Sequence, residues 1–113
     1  MTSSSLPMRK AYNKLVRDRI PEIIRKSGID CEVVTLSQTE YRQALRQKLI
    51  EEAREAAEAN QQNLITELAD LYEVIDAVMA SYNINRELVI AEQLNRREER
   101  GSFEQKIMLL WTE

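Results

Sequence analysis

The residues best placed to do chemistry are acidic. Glu52-x-x-Glu55 and then Glu67-x-x-Asp70 lie in residues 48–76, KLIEEAREAAEANQQNLITELADLYEVID. On a helix, residues three apart share a side. Each motif therefore sets two carboxylates on one face, and a break near Asn60 lets two helices fold back as an antiparallel pair. Four carboxylates then converge across the seam. At about 100° per residue, Glu52 falls between Tyr41 and Leu45, inside the stripe of Tyr41, Leu45, Leu49 and Ala56. Glu67 falls about 20° from Val74 and Val78, and Asp70 lies nearer the edge of that apolar arc.

An unpaired charge facing a core is costly, so something positive must compensate. Two compensations fit: a buried ion-pair network to Lys48 or Arg54, or a hard divalent cation, which suits a cluster of oxygen donors. A single Glu-x-x-Glu is weak evidence, since glutamates such as Glu58 and Glu73 read as solvated. Two such motifs on adjacent helices, with members among apolar residues, are stronger. Mg²⁺ held by helical carboxylates binds phosphates, polarises a phosphoryl oxygen and acidifies a bound water. A carboxylate not fully used by the metal accepts the proton of that water. The expected reaction is hydrolysis of a phosphoanhydride. The chain has no histidine. That excludes Ser-His-Asp and Cys-His catalysis, His-based zinc sites and the Glu-x-x-His ligands usual in di-iron bundles.

The rest of the chain must position these groups. At 113 residues it reads as one domain, 43% hydrophobic and 31% charged, with two glycines and two prolines. This balance favours a helix-rich, soluble protein that enlarges a modest core by oligomerising. No apolar run approaches the ~20 residues of a membrane span, and MTSSSLPMRK has no apolar secretory core. The single Cys31 fits a cytoplasmic, reducing setting. Charge is uneven: residues 1–26 carry seven Lys/Arg and two Asp/Glu, and residues 40–76 carry nine Asp/Glu and four Lys/Arg. A net charge of −3 without a basic helix face argues against nucleic-acid binding.

Residues 1–10 read as a flexible tail and 11–113 as the domain. Pro21 suits the first turn of a short helix that Gly28 ends. Residues 31–36 read as one short strand or an extended connector. Ser37 and Glu40 form a capping box, opening a helix from about Gln38 to Ala59. A second long helix is expected over about 61–81, with an apolar face wide enough for more than one neighbour. Asn85 caps a third, through Arg100, with Gly101 as its stop. Phe103, Ile107, Leu110 and Trp111 are expected to dock on the bundle or on a partner subunit. The fold class is thus mainly all-α, an antiparallel helical bundle completed by dimerisation.

The chain resembles the MazG-like, all-α nucleoside triphosphate pyrophosphohydrolases, a group that includes dimeric dUTPases and phosphoribosyl-ATP pyrophosphohydrolase. The resemblance rests on KLIEEARE (48–55) with ELAD (67–70), which match the family's EExxE and ExxD signature. It is strengthened by YNKLVRDRIPEII (12–24) and EERGSFEQKIMLL (98–110). It implies a helical bundle, Mg²⁺ (or Mn²⁺) on Glu52, Glu55, Glu67 and Asp70, and cleavage between the α and β phosphates. Glu51, Glu52 and Glu55 are the candidate catalytic carboxylates, with Glu51 or a ligand orienting the water. Arg96 and Arg100, with Lys14 and Arg17, are the candidates for the substrate phosphates. Arg96 stands where relatives often have lysine, and Gly101-Ser102-Phe103 departs from the commoner RGGF. Rival expectations are the phosphoribosyl-ATP reaction and a non-catalytic helical interaction module.

Overall fold

The computed structural model describes residues 9–113. Four helices follow in order: α1 (Ile20–Lys26), α2 (Gln38–Glu58), α3 (Leu64–Ser81) and α4 (Arg86–Arg100). The described residues contain no strand, and the protein is all-α. Residues 31–36 form the extended connector and not the strand, since a lone strand would have no partner. The tail expected over residues 1–10 lies outside the described residues except for Arg9 and Lys10.

Local chemistry sets each boundary. Pro21 stands in the first turn of α1, where its missing N–H costs nothing. Gly28, at φ 88°, lets the Ile29 N–H reach the Ile24 carbonyl and the Gly28 N–H reach that of Arg25. This is the 6→1, 5→2 pattern that closes helix C-termini. The capping box at α2 is present: the Glu40 N–H donates to Ser37 Oγ (3.2 Å) and the Ser37 N–H to Glu40 Oε1 (3.1 Å). Hydrogen bonds from Ser37, its backbone N–H first and its side chain second, hold the Glu40 carboxyl below its usual range. Asn60 turns the chain, its Oδ1 accepting from the Asn63 N–H at 3.0 Å. That turn delays α3 to Leu64, later than periodicity alone suggests. Asn83, at φ 55°, repeats the closing pattern with asparagine in the glycine position, through Ile84 N–H to Met79 O and Asn83 N–H to Ala80 O. Asn85 Oδ1 then caps α4 by accepting from the Glu87 N–H at 2.8 Å.

The core is the seam between antiparallel α2 and α3. Leu45, Val74 and Met79 are buried there. Tyr41, Leu49, Leu71, Ile75 and Val78 are half-buried beside them. The end of the seam opposite the Asn60 turn is clamped by polar contacts. Arg42 donates from Nε (3.1 Å) and Nη2 to the Ser81 carbonyl, and Gln38 Nε2 donates to it at 3.2 Å. These bonds satisfy a carbonyl of the last turn of α3, the negative pole of its dipole. The Arg42 guanidinium also lies 4.4 Å from the Tyr82 ring centre, a cation–π distance.

Elsewhere the chain is open. α4 packs extensively on no other helix, and its Leu88, Val89, Ile90 and Leu94 are exposed. On α3, Ile65, Leu68 and Tyr72 have no cover either. Phe103, Ile107, Leu110 and Trp111 do not dock on their own bundle: Phe103 is 98% exposed and Trp111 72%. The turn at Asn83–Asn85 sends α4, and everything after it, away from the α2–α3 pair. The outline is accordingly long, 72 × 33 × 30 Å, with a radius of gyration of 19.9 Å. A compact domain of this length has about 13 Å.

The capping box makes a local prediction. Ser37→Ala is expected to lower unfolding stability by about 1 kcal/mol, checked by urea denaturation against Ser37→Asp, which keeps a capping oxygen.

Candidate metal centre

α2 brings Glu52, and α3 brings Glu67 and Asp70, to one place in the seam. One carboxylate oxygen from each lies within 4.8 Å of the others. Glu52 is 7% exposed, while Glu67 and Asp70 are half-buried. The Oε2 atoms of Glu52 and Glu67 are both buried with no hydrogen-bond partner. Buried polar atoms are nearly always partnered, so two orphaned acceptors on carboxylates of one cluster need a reason.

Three cations approach, and none reaches those atoms. Lys48 Nζ, on the same helix, stands 3.4 Å from Glu52 Oε1 and 3.5 Å from Glu51 Oε2. Lys14 Nζ lies 3.1 Å from Glu51 Oε1, and Arg17 Nη2 lies 2.6 Å from Asp70 Oδ1. Both of these come from the segment before α1 and are largely exposed, where an ion pair contributes little. Arg54, the other cation considered for a buried network, is exposed and forms no ion pair among the described residues.

The charge balance shows in the titration of three groups. Burial pushes the Glu52 carboxyl above its usual range, and the negative charge of Glu55 adds to it; Lys48 opposes both and is outweighed. The Glu51 carboxyl is held down, chiefly by the hydrogen bond from Lys14. That bond in turn raises Lys14.

Of the expected ligands, the structure therefore gathers Glu52, Glu67 and Asp70. Glu55 stays exposed beside Glu52, outside the three-oxygen cluster. Glu51 borders the cluster, tied to Lys14 and Lys48. Lys14 and Arg17 do reach the acidic centre, as the basic N-terminal motif suggests. Arg96 and Arg100 do not: both are exposed on α4, which stands apart from the α2–α3 pair. Within one chain they are not next to the carboxylates, because the Asn83–Asn85 turn carries them away. Lys48 entered the sequence reading only as a rival to a metal. Its i→i+4 spacing to Glu52 was the signal that it belongs inside the cluster.

The donor set fits a hard divalent cation. All three groups offer oxygen, and oxygens around Mg²⁺ lie about 2.9 to 4.1 Å apart. The cluster, with all three atoms within 4.8 Å of one another, is close to that size.

No model of a protein family matches the chain. Over 47 residues it is 53% identical to an uncharacterized protein of Mycolicibacterium smegmatis, a stretch that covers 42% of this chain and 48% of that protein. The chain thus spans about half the length of this curated relative. No solved structure matches it.

The raised Glu52 carboxyl predicts a pH-dependent cost. The fold holds this proton more tightly than the unfolded chain, whose glutamates titrate near about 4.3. Its contribution to stability is full below that pH and is lost as pH rises through the higher folded value. In metal-free protein, Glu52→Gln should therefore gain thermal midpoint relative to wild type as pH goes from about 4 to about 7. A difference between the two that is flat across this range would contradict the burial argument.

Proposed function

We propose that this protein is a Mg²⁺-dependent nucleotide pyrophosphohydrolase of the MazG-like, all-α type, cleaving the α–β phosphoanhydride of an NTP or dNTP to the monophosphate and pyrophosphate. The observation that carries the reading is the pair of orphaned buried oxygens, Glu52 Oε2 and Glu67 Oε2, converging with Asp70 in the α2–α3 seam. Glu52, Glu67 and Asp70 would hold the ion, and Glu55 lies close enough to join them. When bound, Mg²⁺ would polarise a phosphoryl oxygen and lower the pKa of a water. Glu51, at the rim and outside the three-oxygen cluster, is positioned to orient that water and accept its proton. Lys14 and Arg17 stand on the same side and supply positive charge for phosphate oxygens. The substrate panel that tests this is a set of NTPs and dNTPs with Mg²⁺, scored by pyrophosphate released. Wild type is expected to release it from at least one nucleotide, and Glu67→Ala to lose about a hundredfold or more. Equal output from the two would remove Glu67 from the site.

A second reading has its own support. Lys14, Arg17 and Lys48 already pair with Asp70, Glu51 and Glu52, as they would in a non-catalytic helical interaction module. Thermal melting separates the two. A native-state ligand at about a hundred times its Kd adds about 2.7 kcal/mol, so millimolar Mg²⁺ should raise the wild-type midpoint and leave Glu67→Ala unmoved. A wild-type midpoint indifferent to Mg²⁺ favours the module.

We also infer self-association. The accessible surface is 10809 Å², against about 6400 Å² for a compact protein of this mass. The bare apolar residues of α4 and of the C-terminal segment are part of that surface. A second copy that buries them would complete a bundle which one chain leaves half-built. Sedimentation equilibrium should give a dimer or larger species, shifted toward monomer by Leu88→Glu with Leu94→Glu; a wild-type monomer at micromolar concentration would contradict this.

A further inference from the structure

Residues 9–19 precede α1 without regular structure beyond a turn at Asp18–Arg19. Asn13 adopts φ 47° immediately before Lys14, bending the segment over the acidic seam. Its two cations grip different carboxylates, Lys14 on Glu51 of α2 and Arg17 on Asp70 of α3. Both side chains keep access to water, 45% exposed for Lys14 and 55% for Arg17. Lys48 differs from them: it is 17% exposed and fixed to its own helix.

The charges explain what such a grip is for. Five carboxylates meet here, Glu51, Glu52, Glu55, Glu67 and Asp70, against the cations Lys14, Arg17 and Lys48. Two negative charges are left over, and the two orphaned oxygens lie among them. One divalent cation cancels that excess. With Lys48 counted, it halves the net negative charge facing Lys14 and Arg17, from four to two, and it competes with Arg17 for Asp70 directly; exposed pairs of this kind are worth little to begin with. A polyphosphate arriving next restores negative charge, and the nearest cations free to turn toward it are these two.

We propose that Lys14 and Arg17 are exchangeable counter-ions: in the metal-free chain they occupy Glu51 and Asp70 respectively, they are released when a divalent cation takes the carboxylates of the seam, and they then bind substrate phosphate. This rests on the metal reading given above. It makes binding ordered, metal before nucleotide. It also makes the coupling reciprocal: what the cation does to Arg17, Arg17 does to the cation.

The test is a Mg²⁺ titration of the full chain followed by NMR, for wild type, Arg17→Gln and Arg17→Lys. The Arg17 Nε–H signal is assigned by its loss in both variants. Exchange requires this side chain to be ordered without Mg²⁺ and mobile at saturation. It also requires Arg17→Gln to bind Mg²⁺ about two- to fivefold more tightly, the equivalent of removing one exposed ion pair from the competition, with the charge-keeping Arg17→Lys close to wild type. Equal or weaker binding by Arg17→Gln, or an Arg17 signal that stays ordered at saturation, overturns the exchange. Arg17 would then be an outer support that orients Asp70 as a ligand. Failure of wild type and both variants to bind Mg²⁺ overturns the metal reading itself, and the exchange with it.

Discussion

The rest of the structure is arranged around the crowding of like charge inside an apolar seam. Two helices that pack through Leu45, Val74 and Met79 also press Glu52, Glu67 and Asp70 together. These carboxylates repel one another, and burial strips water from at least Glu52. The helix pair tolerates this because its opposite end is held well. There Arg42 and Gln38 converge on the Ser81 carbonyl, and Tyr82 lies under the guanidinium. The pair is therefore polarised along its length, with a satisfied, clamped end and an end near the Asn60 turn where negative charge exceeds positive. A cluster placed between two clamped ends could not adjust to an ion. One beside a turn keeps that freedom.

The same economy of contacts explains the outline of the molecule. One antiparallel pair is too little to cover the apolar faces this sequence carries, and α4 adds none of the missing cover within its own chain. Leu88, Leu94, Phe103 and Trp111 remain in water. On the proposed reading, association does two jobs: it buries these residues, and it supplies the walls of a nucleotide site of which one chain builds only the acidic floor. Arg96 and Arg100 belong to that consideration too, since α4 carries them away from the carboxylates of its own chain.

Much of the fold could be read from short-range chemistry. Ser37 with Glu40, Pro21 before Gly28, and Asn85 before α4 each specify a boundary through bonds spanning a few residues, and such bonds form wherever the chain allows them. Asn83 shows the limit: the sequence marks a break there, but only the backbone reveals a left-handed asparagine closing α3. The start of α3 falls later than periodicity suggests, because the turn after Asn60 takes up residues 61–63. For the site, the helical wheel correctly put Glu52 and Glu67 inward, since orientation around one helix follows from spacing. It could not tell that Glu55 would stay outside, because that depends on the rotation of α2 against α3. Nor could it see that Lys14 and Arg17 would lie across the seam, or that Arg96 would not. Those are long-range matters, decided by where a turn sends the next element. Arg42 gave no signal at all, since an arginine serving the end of another helix has no local signature.

Glu52 shows why such a site is unfavourable to fold and still useful. A leucine in its place would extend the stripe of Tyr41, Leu45 and Leu49 and bury more apolar surface. The glutamate instead brings a charge that burial disfavours, that Glu55 disfavours further, and that Lys48 only partly offsets. Its Oε2 gains no hydrogen bond in return. Packing alone would not arrange a carboxylate in this way, for a solvated position one step round the helix would satisfy it. The arrangement makes sense when the compensating group arrives from outside the chain. On the proposed reading, free energy withheld from folding is then available to binding, because an ion would relieve a repulsion already built in. On that reading, the attraction for an ion and the cost of Glu52 to the metal-free seam have one electrostatic cause.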